Sequence, residues 1–364
     1  MRVAVTLLQC WHDTPGGTAT SALSQAAAVA ATGDLDLIGV APWGRSVPSA
    51  PWTPPIPFRR LPLPYQLVYD GWHRLHLPPV QLATGSVDVV HATTVTVPPT
   101  WRGTPVVVTV HDVFPITHPE RLSPRGARLL SAGIELAKWA ALVLCPSDAT
   151  AESCREIGFD EDRLIVVPWG VTPPQVTDAE VAAVQVRHGL DRPYVLWVGT
   201  IEPRKNLEML VAAFVAMHRD DVDLVVVGPD GWQTDGDALV APHERVRRLG
   251  FVSDHDLAAL NAGAEVLCLP SYEEGFGMTA LEAMVHGTPV IGSNVSAIPE
   301  IIGDTGVLVA PDDCDGWSGA IGALLDDDRR RGELGSLAAA RAAGFTWGRC
   351  AELTVAAYRH AALR

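Results

Sequence analysis

One pattern governs this chain and occurs twice along it: a short unbroken apolar run, a helical stretch, then another apolar run. In the first half the apolar runs are 2–8, 87–91, 105–110, 141–144 and 164–167, and helical stretches at 124–139 and 148–157 separate the later ones. A strand with one wet face alternates apolar and polar residues. A run with no polar face is buried on both sides, as in a parallel sheet covered by helices. At 171–180 the sequence turns to Thr, Pro and Asp, as a linker does, and the pattern then restarts. Residues 194–199, 224–228, 264–269, 290–292 and 307–309 read as strands and 206–217 as a helix. The fold class is therefore α/β: two doubly wound parallel-sheet domains, at 1–172 and 185–345, with a last helix at about 347–362.

In open parallel sheets, ligands bind outside the carboxyl ends of the strands. The residues with chemistry to offer collect at those ends. Gly16 and Gly17 follow the first strand, His111 and Asp112 follow Val110, and Ser147 and Asp148 follow Leu144. Glu202, Arg204 and Lys205 follow Gly199, and a turn rich in Glu and Gly follows Leu269. Each has a plain structural reading too. The glycine pair is equally an ordinary tight turn, Arg204–Lys205 a solvated basic turn, His111 a satisfied structural histidine and Glu282 an exposed helix residue. Their shared position at the sheet edge favours a ligand site. A guanidinium next to an ammonium suits a diphosphate. No GxGxxG fingerprint follows the first strand, which argues against a dinucleotide-binding oxidoreductase.

The stretch from Pro270 to Met284 is the most informative. A buried strand runs into Glu273-Glu274-Gly275-Phe276-Gly277, and Met278 and Thr279 lead into a helix with Leu281, Met284 and Val285 at helical spacing. A helix N-terminus offers unpaired N–H groups to an anion. Glu274 and Glu282 are poorly placed to hold phosphate but can accept hydrogen bonds from sugar hydroxyls. Glu274 has no evident structural duty. The combination points to a ligand with both phosphates and sugars.

The net charge of −15 excludes nucleic acid as a partner, which needs a basic face. It also opposes strong attachment to an anionic membrane, though not through a local basic patch. Six scattered cysteines, Cys10, Cys145, Cys154, Cys268, Cys314 and Cys350, form no CxxC pair or metal cluster and read as reduced and mostly buried. The first residues read as a strand and not as a secretory leader, and no uncharged apolar run reaches roughly 18 residues. A cytoplasmic location is expected, with contact at the inner face of a membrane left open. Residues 42–64 carry eight prolines, so they are neither a central strand nor a helix interior and read as an extended surface excursion.

Glu274, seven intervening residues, then Glu282, within EEGFGMTALEAMVHGTPVI, resembles the EX7E motif of retaining glycosyltransferases of family 4, the GT-B "group 1" enzymes. The segments VLWVGTIEPRKNLEMLVAAF, GFVSDHDLAALNAGAEVLCLPS and SNVSAIPEIIGDTGVLVAPDD resemble that family's donor-side segments in order. VVHATTVTVPP, VTVHDVFPITHPERLSP and CPSDATAESCREIG resemble the acceptor domain of its mannosyltransferase-like branch. FTWGRCAELTVAAYR resembles the terminal helix that crosses back to the first domain. Thr279 stands where the family often has proline, and 42–64 matches no family segment.

The resemblance implies a GT-B fold, two Rossmann-like domains facing across a cleft, with 346–364 completing an acceptor-side first domain and the second binding a nucleotide-sugar. It implies that Arg204 and Lys205, near Gly199, bind the donor diphosphate, that Glu282 accepts from the ribose and that Glu274 contacts the sugar. Backbone groups of Gly275, Phe276, Gly277, Met278 and Thr279 meet sugar hydroxyls and phosphate, His111 faces the transferred sugar, and Gly16 and Gly17 line the donor phosphates or the acceptor mouth. No cofactor or metal is required, since no DxD-type site lies in a matching place. GDP-mannose is the favoured donor, with UDP- or dTDP-sugars as alternatives, and the acceptor is a glycan, glycolipid or small molecule. Configuration is retained by front-face attack, a donor phosphate oxygen taking the acceptor proton. A Rossmann-type oxidoreductase and a non-catalytic nucleotide-binding scaffold are the readings of other classes. Oligomeric state is left open.

Overall fold

The computed structural model describes residues 1–12, 15–231 and 235–364, with only the backbone of Gln66. Asp13 and Thr14, in the loop before Gly16, lie outside the described residues. The chain divides into two compact units, Met1–Gly170 with Thr346–Arg364, and Val171–Phe345.

The first unit is built on a seven-stranded sheet. Its strands are β1 (Arg2–Thr6), β2 (Asp36–Trp43), β3 (Phe58–Pro64), β4 (Val89–Ala92), β5 (Val106–Thr109), β6 (Leu142–Cys145) and β7 (Leu164–Val166). They are parallel and ordered β3-β2-β1-β4-β5-β6-β7. The strand order reverses between β1 and β4, the switch point at which ligands of such sheets sit. Buried Val, Leu and Ile fill both faces, as unbroken apolar runs require.

Two strands escaped the sequence reading. β2 was assigned no element. β3 corrects the reading of 42–64 as a surface excursion, because its last seven residues, Phe58–Pro64, form the edge strand. An edge strand bonds on one side only, so Pro62 and Pro64 are tolerated there. The register runs Gly39 to Phe58 and Ala41 to Arg60, then slips so that Trp43 faces Pro64.

The last helix, Trp347–Ala361, belongs to this unit. The Thr346 hydroxyl caps it, accepting from the Arg349 N–H at 3.1 Å. It packs on the Gly16–Ala31 helix, where Gln25 donates to Thr354 at 2.9 Å. Gly170 is the residue that allows this return, since a Cβ there would lie 2.1 Å from the Trp347 nitrogen.

The second unit has a six-stranded parallel sheet. Its strands are β8 (Tyr194–Val198), β9 (Asp223–Val227), β10 (Val246–Gly250), β11 (Val266–Leu269), β12 (Val290–Ser293) and β13 (Val307–Val309), ordered β10-β9-β8-β11-β12-β13. Trp197, Phe214 and Trp317 anchor its core. β10 was also unread. It is an edge strand, so Arg247 and Arg248 fit in it, and Arg248 pairs with Asp230 at 2.9 Å. The linker reading of 171–180 is shortened, because a capping box between Thr177 and Glu180 opens the Asp178–Arg187 helix.

All six cysteines are free, and only Cys314 is not fully buried. Among the described residues no helix is long and apolar enough to cross a membrane.

Candidate active site

In the second unit, the chain leaving β8 makes a 3-10 turn over Pro203–Lys205 and reaches Asn206 in the left-handed region, at φ 54°. The Asn206 amide donates to the carbonyls of Pro270 (3.1 Å) and Pro311 (2.8 Å). The Tyr272 N–H donates to the Arg204 carbonyl at 2.9 Å. These bonds tie the end of β8 to the end of β11 and bring Arg204 and Lys205 against the glutamate turn.

A compact charged cluster results. The Lys205 ammonium donates to Glu274 Oε1 at 2.6 Å, and the Ser271 hydroxyl donates to the same oxygen at 2.7 Å. Arg204 reaches Glu274 Oε2 at 3.4 Å, Glu202 Oε1 through Nε at 3.0 Å and Nη2 at 2.9 Å, and the Glu273 carbonyl at 2.7 Å. At least four of its five N–H donors are thus engaged. Burial alone would push the Glu274 carboxyl up, but the Lys205 and Arg204 charges outweigh it and hold the group at about 2. For Glu202 burial wins, and its carboxyl lies above the ordinary range despite Arg204 and Lys205.

Glu274, read above as having no evident structural duty, has one. Its charged partners stand 69 and 70 residues upstream, and only the fold brings them together. The turn is also held by its backbone: the Glu274 N–H donates to the Ser296 hydroxyl at 2.8 Å, and its carbonyl accepts from Ala297 at 3.3 Å. The Phe276 ring is buried against Phe345. Gly277 starts the Met278–Met284 helix at φ +104°, a conformation open to glycine and strained for any other residue. Gly275, Met278 and Thr279 are half-buried around this corner. Gly199 lies close by, its Cβ position 3.8 Å from Lys205 Cδ.

Glu282 is not part of the cluster's bonding. It lies half-buried one turn into the helix, and burial first, then the Asp254 charge, pushes its carboxyl up to about 7.

In the first unit, His111 follows β5, and its Nε2 donates to the Thr93 carbonyl beyond β4 at 2.7 Å. Thr93 in turn donates to the Thr6 carbonyl at the end of β1 and accepts from Gln9 at 2.8 Å. This chain of bonds crosses the switch point. The His111 ring leans on Trp169, at 5.3 Å between centroids. Its Nδ1 is buried with no hydrogen-bond partner among the described residues, and burial keeps the ring neutral, against the pull of the Thr93 carbonyl and Asp112. His91 is the contrasting case. Both its nitrogens are satisfied, by Tyr358 at 2.7 Å and Thr109 at 2.8 Å, as in a core histidine. Gly16 (φ +64°) and Gly17 open the first helix, and among the described residues neither has an atom within 4 Å of its Cβ position. Thr93, Gln9, Trp169 and Ser271 went unsingled, and Glu202 was read as chemistry at a strand end without its pairing to Arg204. Of the four, only Thr93 carried a signal, its place at a strand end.

Known proteins align with this chain along most of its length. Residues 15–174 match the model of glycosyltransferase family 4, and residues 192–327 that of the group 1 glycosyl transferases. The O-antigen chain mannosyltransferase B of Escherichia coli is 33% identical over 70% of this chain and 70% of its own. The MMP alpha-(1->4)-mannosyltransferase of Mycolicibacterium hassiacum is 32% identical over 72% of this chain and 67% of its own. Other relatives, such as the D-inositol 3-phosphate glycosyltransferase of Nocardia farcinica, are matched over about half their length (51%). An Anabaena protein solved with UDP and glucose superposes with a TM-score of 0.75 at 18% identity, covering 98% of both chains, a likeness of fold. Two parallel-sheet α/β units, the ordered family matches and relatives aligned over two thirds of their length make this chain a GT-B glycosyltransferase of family 4, in the group 1 family.

Proposed function

We propose that this glycosyltransferase moves a mannosyl group from GDP-mannose to a hydroxyl of a glycan, glycolipid or small-molecule acceptor, with retention of configuration and without a metal. The second unit binds the donor and the first faces the acceptor. The observation that carries the reading is the Glu202–Arg204–Lys205–Glu274 cluster. A departing nucleoside diphosphate develops negative charge, and a preorganised ammonium beside a guanidinium stabilises it. An ammonium has three donors, and Glu274 engages one of them. Lys205 therefore has donors to give the diphosphate. Arg204 adds charge while its bonds to Glu202 and the Glu273 carbonyl fix the turn.

Glu274 then presents its carboxylate to the sugar, and Glu282 accepts from the ribose. Backbone groups from Gly275 to Thr279 meet the sugar and phosphate, with Gly199 below Lys205. From the first unit, His111 offers neutral Nδ1 to a sugar hydroxyl, and Gly16 and Gly17 leave room for phosphate or acceptor. With no second carboxylate acting as nucleophile, the two-carboxylate retaining scheme of hydrolases does not apply. Front-face attack forms the new glycosidic bond as the anomeric carbon–phosphate bond breaks, and a donor phosphate oxygen takes the acceptor proton. Two relatives named as mannosyltransferases support the choice of sugar.

The test is nucleoside diphosphate release from GDP-mannose, UDP-glucose and a dTDP-sugar in EDTA with an acceptor panel, and the anomeric configuration of the product by NMR. Release from GDP-mannose with a retained configuration is expected. An inverted product, or dependence on added metal, contradicts the mechanism.

A further inference from the structure

The chain carries a net charge of −15, yet one face of the first unit is basic. The Tyr65–Asp70 helix and the π-helical turn after it, Gly71–Leu75, run beside the Pro124–Ala137 helix. They are close enough that a Cβ on Gly133 would lie 3.1 Å from the His73 ring. Between them is a cavity of about 330 Å3 lined by Arg74, Arg125, Arg128, Leu129 and Asp70. Asp70, the one carboxylate of that lining, is shared by Arg74 and Arg125 at 3.5 Å each. Glu135, further along the same helix, is engaged by Lys138 at 2.8 Å. Positive charge is left in excess.

Toward the end of that helix the surface turns apolar. A second cavity of about 190 Å3 is lined by His76, Val97, Pro98, Leu136 and Trp139 among others. Trp139 of its lining is 83% exposed, and Leu75 and Leu77, on either side of His76 in the chain, are 71% and 59% exposed. Large apolar side chains gathered and exposed together mark an interaction surface.

We infer that this face docks on an anionic lipid surface. Arginines next to exposed leucines and a tryptophan match what such a surface offers, lipid phosphates above an apolar layer with an indole-favouring boundary. A polar polyanion gives the leucines and the tryptophan no role, and an apolar partner gives the arginines none. The acidic remainder of the molecule is repelled by the same lipids, so charge decides which face is presented.

The test is flotation of the whole chain with vesicles of phosphatidylcholine alone and of phosphatidylcholine with phosphatidylglycerol. Binding to the phosphatidylglycerol vesicles alone is expected, weakening as salt is raised. Reversal of Arg74, Arg125 and Arg128 to Glu lowers the partition by about tenfold or more. Arg128→Glu, which breaks no ion pair among the described residues, lowers it by about a third of that factor on a logarithmic scale. Leu75→Ser with Leu77→Ser lowers it several-fold, with thermal stability unchanged. The inference is overturned by no binding to phosphatidylglycerol vesicles, or by equal binding to phosphatidylcholine. It is also overturned by loss on arginine reversal without loss on leucine replacement, the mark of a site for a polar polyanion.

Discussion

Lys205 and Glu274 form an ion pair of 2.6 Å whose side chains are only 13% and 9% exposed. The pair joins the end of β8 to the turn after β11, and it holds the Glu274 carboxyl at about 2 instead of its ordinary 4.5. A carboxylate with a depressed folded value stabilises the fold above the unfolded value and loses that contribution as pH falls through the folded one. The second unit should therefore lose on the order of 3 kcal/mol between about pH 4.5 and pH 2 from this group. Glu274→Gln should flatten that limb, as read by urea unfolding at stepped pH.

Removing one partner of a buried pair leaves the other charge uncompensated, at a cost of about 3–5 kcal/mol. Lys205→Met should destabilise the second unit by roughly that amount. Adding Glu274→Gln should restore part of it, because the stranded carboxylate is gone. Additive losses in the double variant would show that the two residues do not act as a pair.

Glu282 is displaced in the opposite direction, up to about 7. A carboxyl raised by burial favours folding while protonated, so its contribution is full below about 4.5 and is lost as pH rises through about 7. Glu282→Gln should raise the stability of the second unit at pH 8 by on the order of 1–2 kcal/mol, the shift being discounted for partial exposure. At pH 4 the two proteins should match. Melting curves at the two pH values decide it.

His111 has an acceptor nitrogen with no partner among the described residues, in a ring that burial keeps neutral. His111→Phe keeps an aromatic ring beside Trp169 but removes that acceptor together with the bond to the Thr93 carbonyl, and should slow transfer by about tenfold or more, one hydrogen bond to the sugar being worth about tenfold. Donor nucleotide affinity should be unchanged by calorimetry. A fall in nucleotide affinity equal to the fall in rate would assign His111 to the nucleotide instead of the sugar.

Much of this was legible in the sequence because burial on both faces of a parallel sheet leaves an apolar signature, as in Val106-Val107-Val108 or Leu224-Val225-Val226-Val227. Two of the three strands that escaped were exposed edges, the third being the interior strand Asp36–Trp43. Phe58–Pro64 is masked by its prolines and Val246–Gly250 by its arginines, both allowed where one side of a strand bonds to nothing. Arg204, Lys205 and Glu274 were legible as chemistry at strand ends. Their mutual pairing was not, since nothing local in Glu273-Glu274-Gly275 reports a lysine on another strand. The same holds for His111, whose orientation depends on the carbonyl of Thr93 and the ring of Trp169.

The most direct test of the central claim, that Lys205 beside Arg204 and Glu274 receives a nucleoside diphosphate, is titration calorimetry in EDTA. GDP, UDP, ADP and dTDP are compared on the parent chain and on Lys205→Met, at a temperature where both are folded. GDP should bind best, and the substitution should weaken it by about 1.5–3 kcal/mol, the worth of a charge-assisted hydrogen bond. Equal GDP affinity in the two proteins, or no binding by any of the four nucleotides, would contradict the assignment.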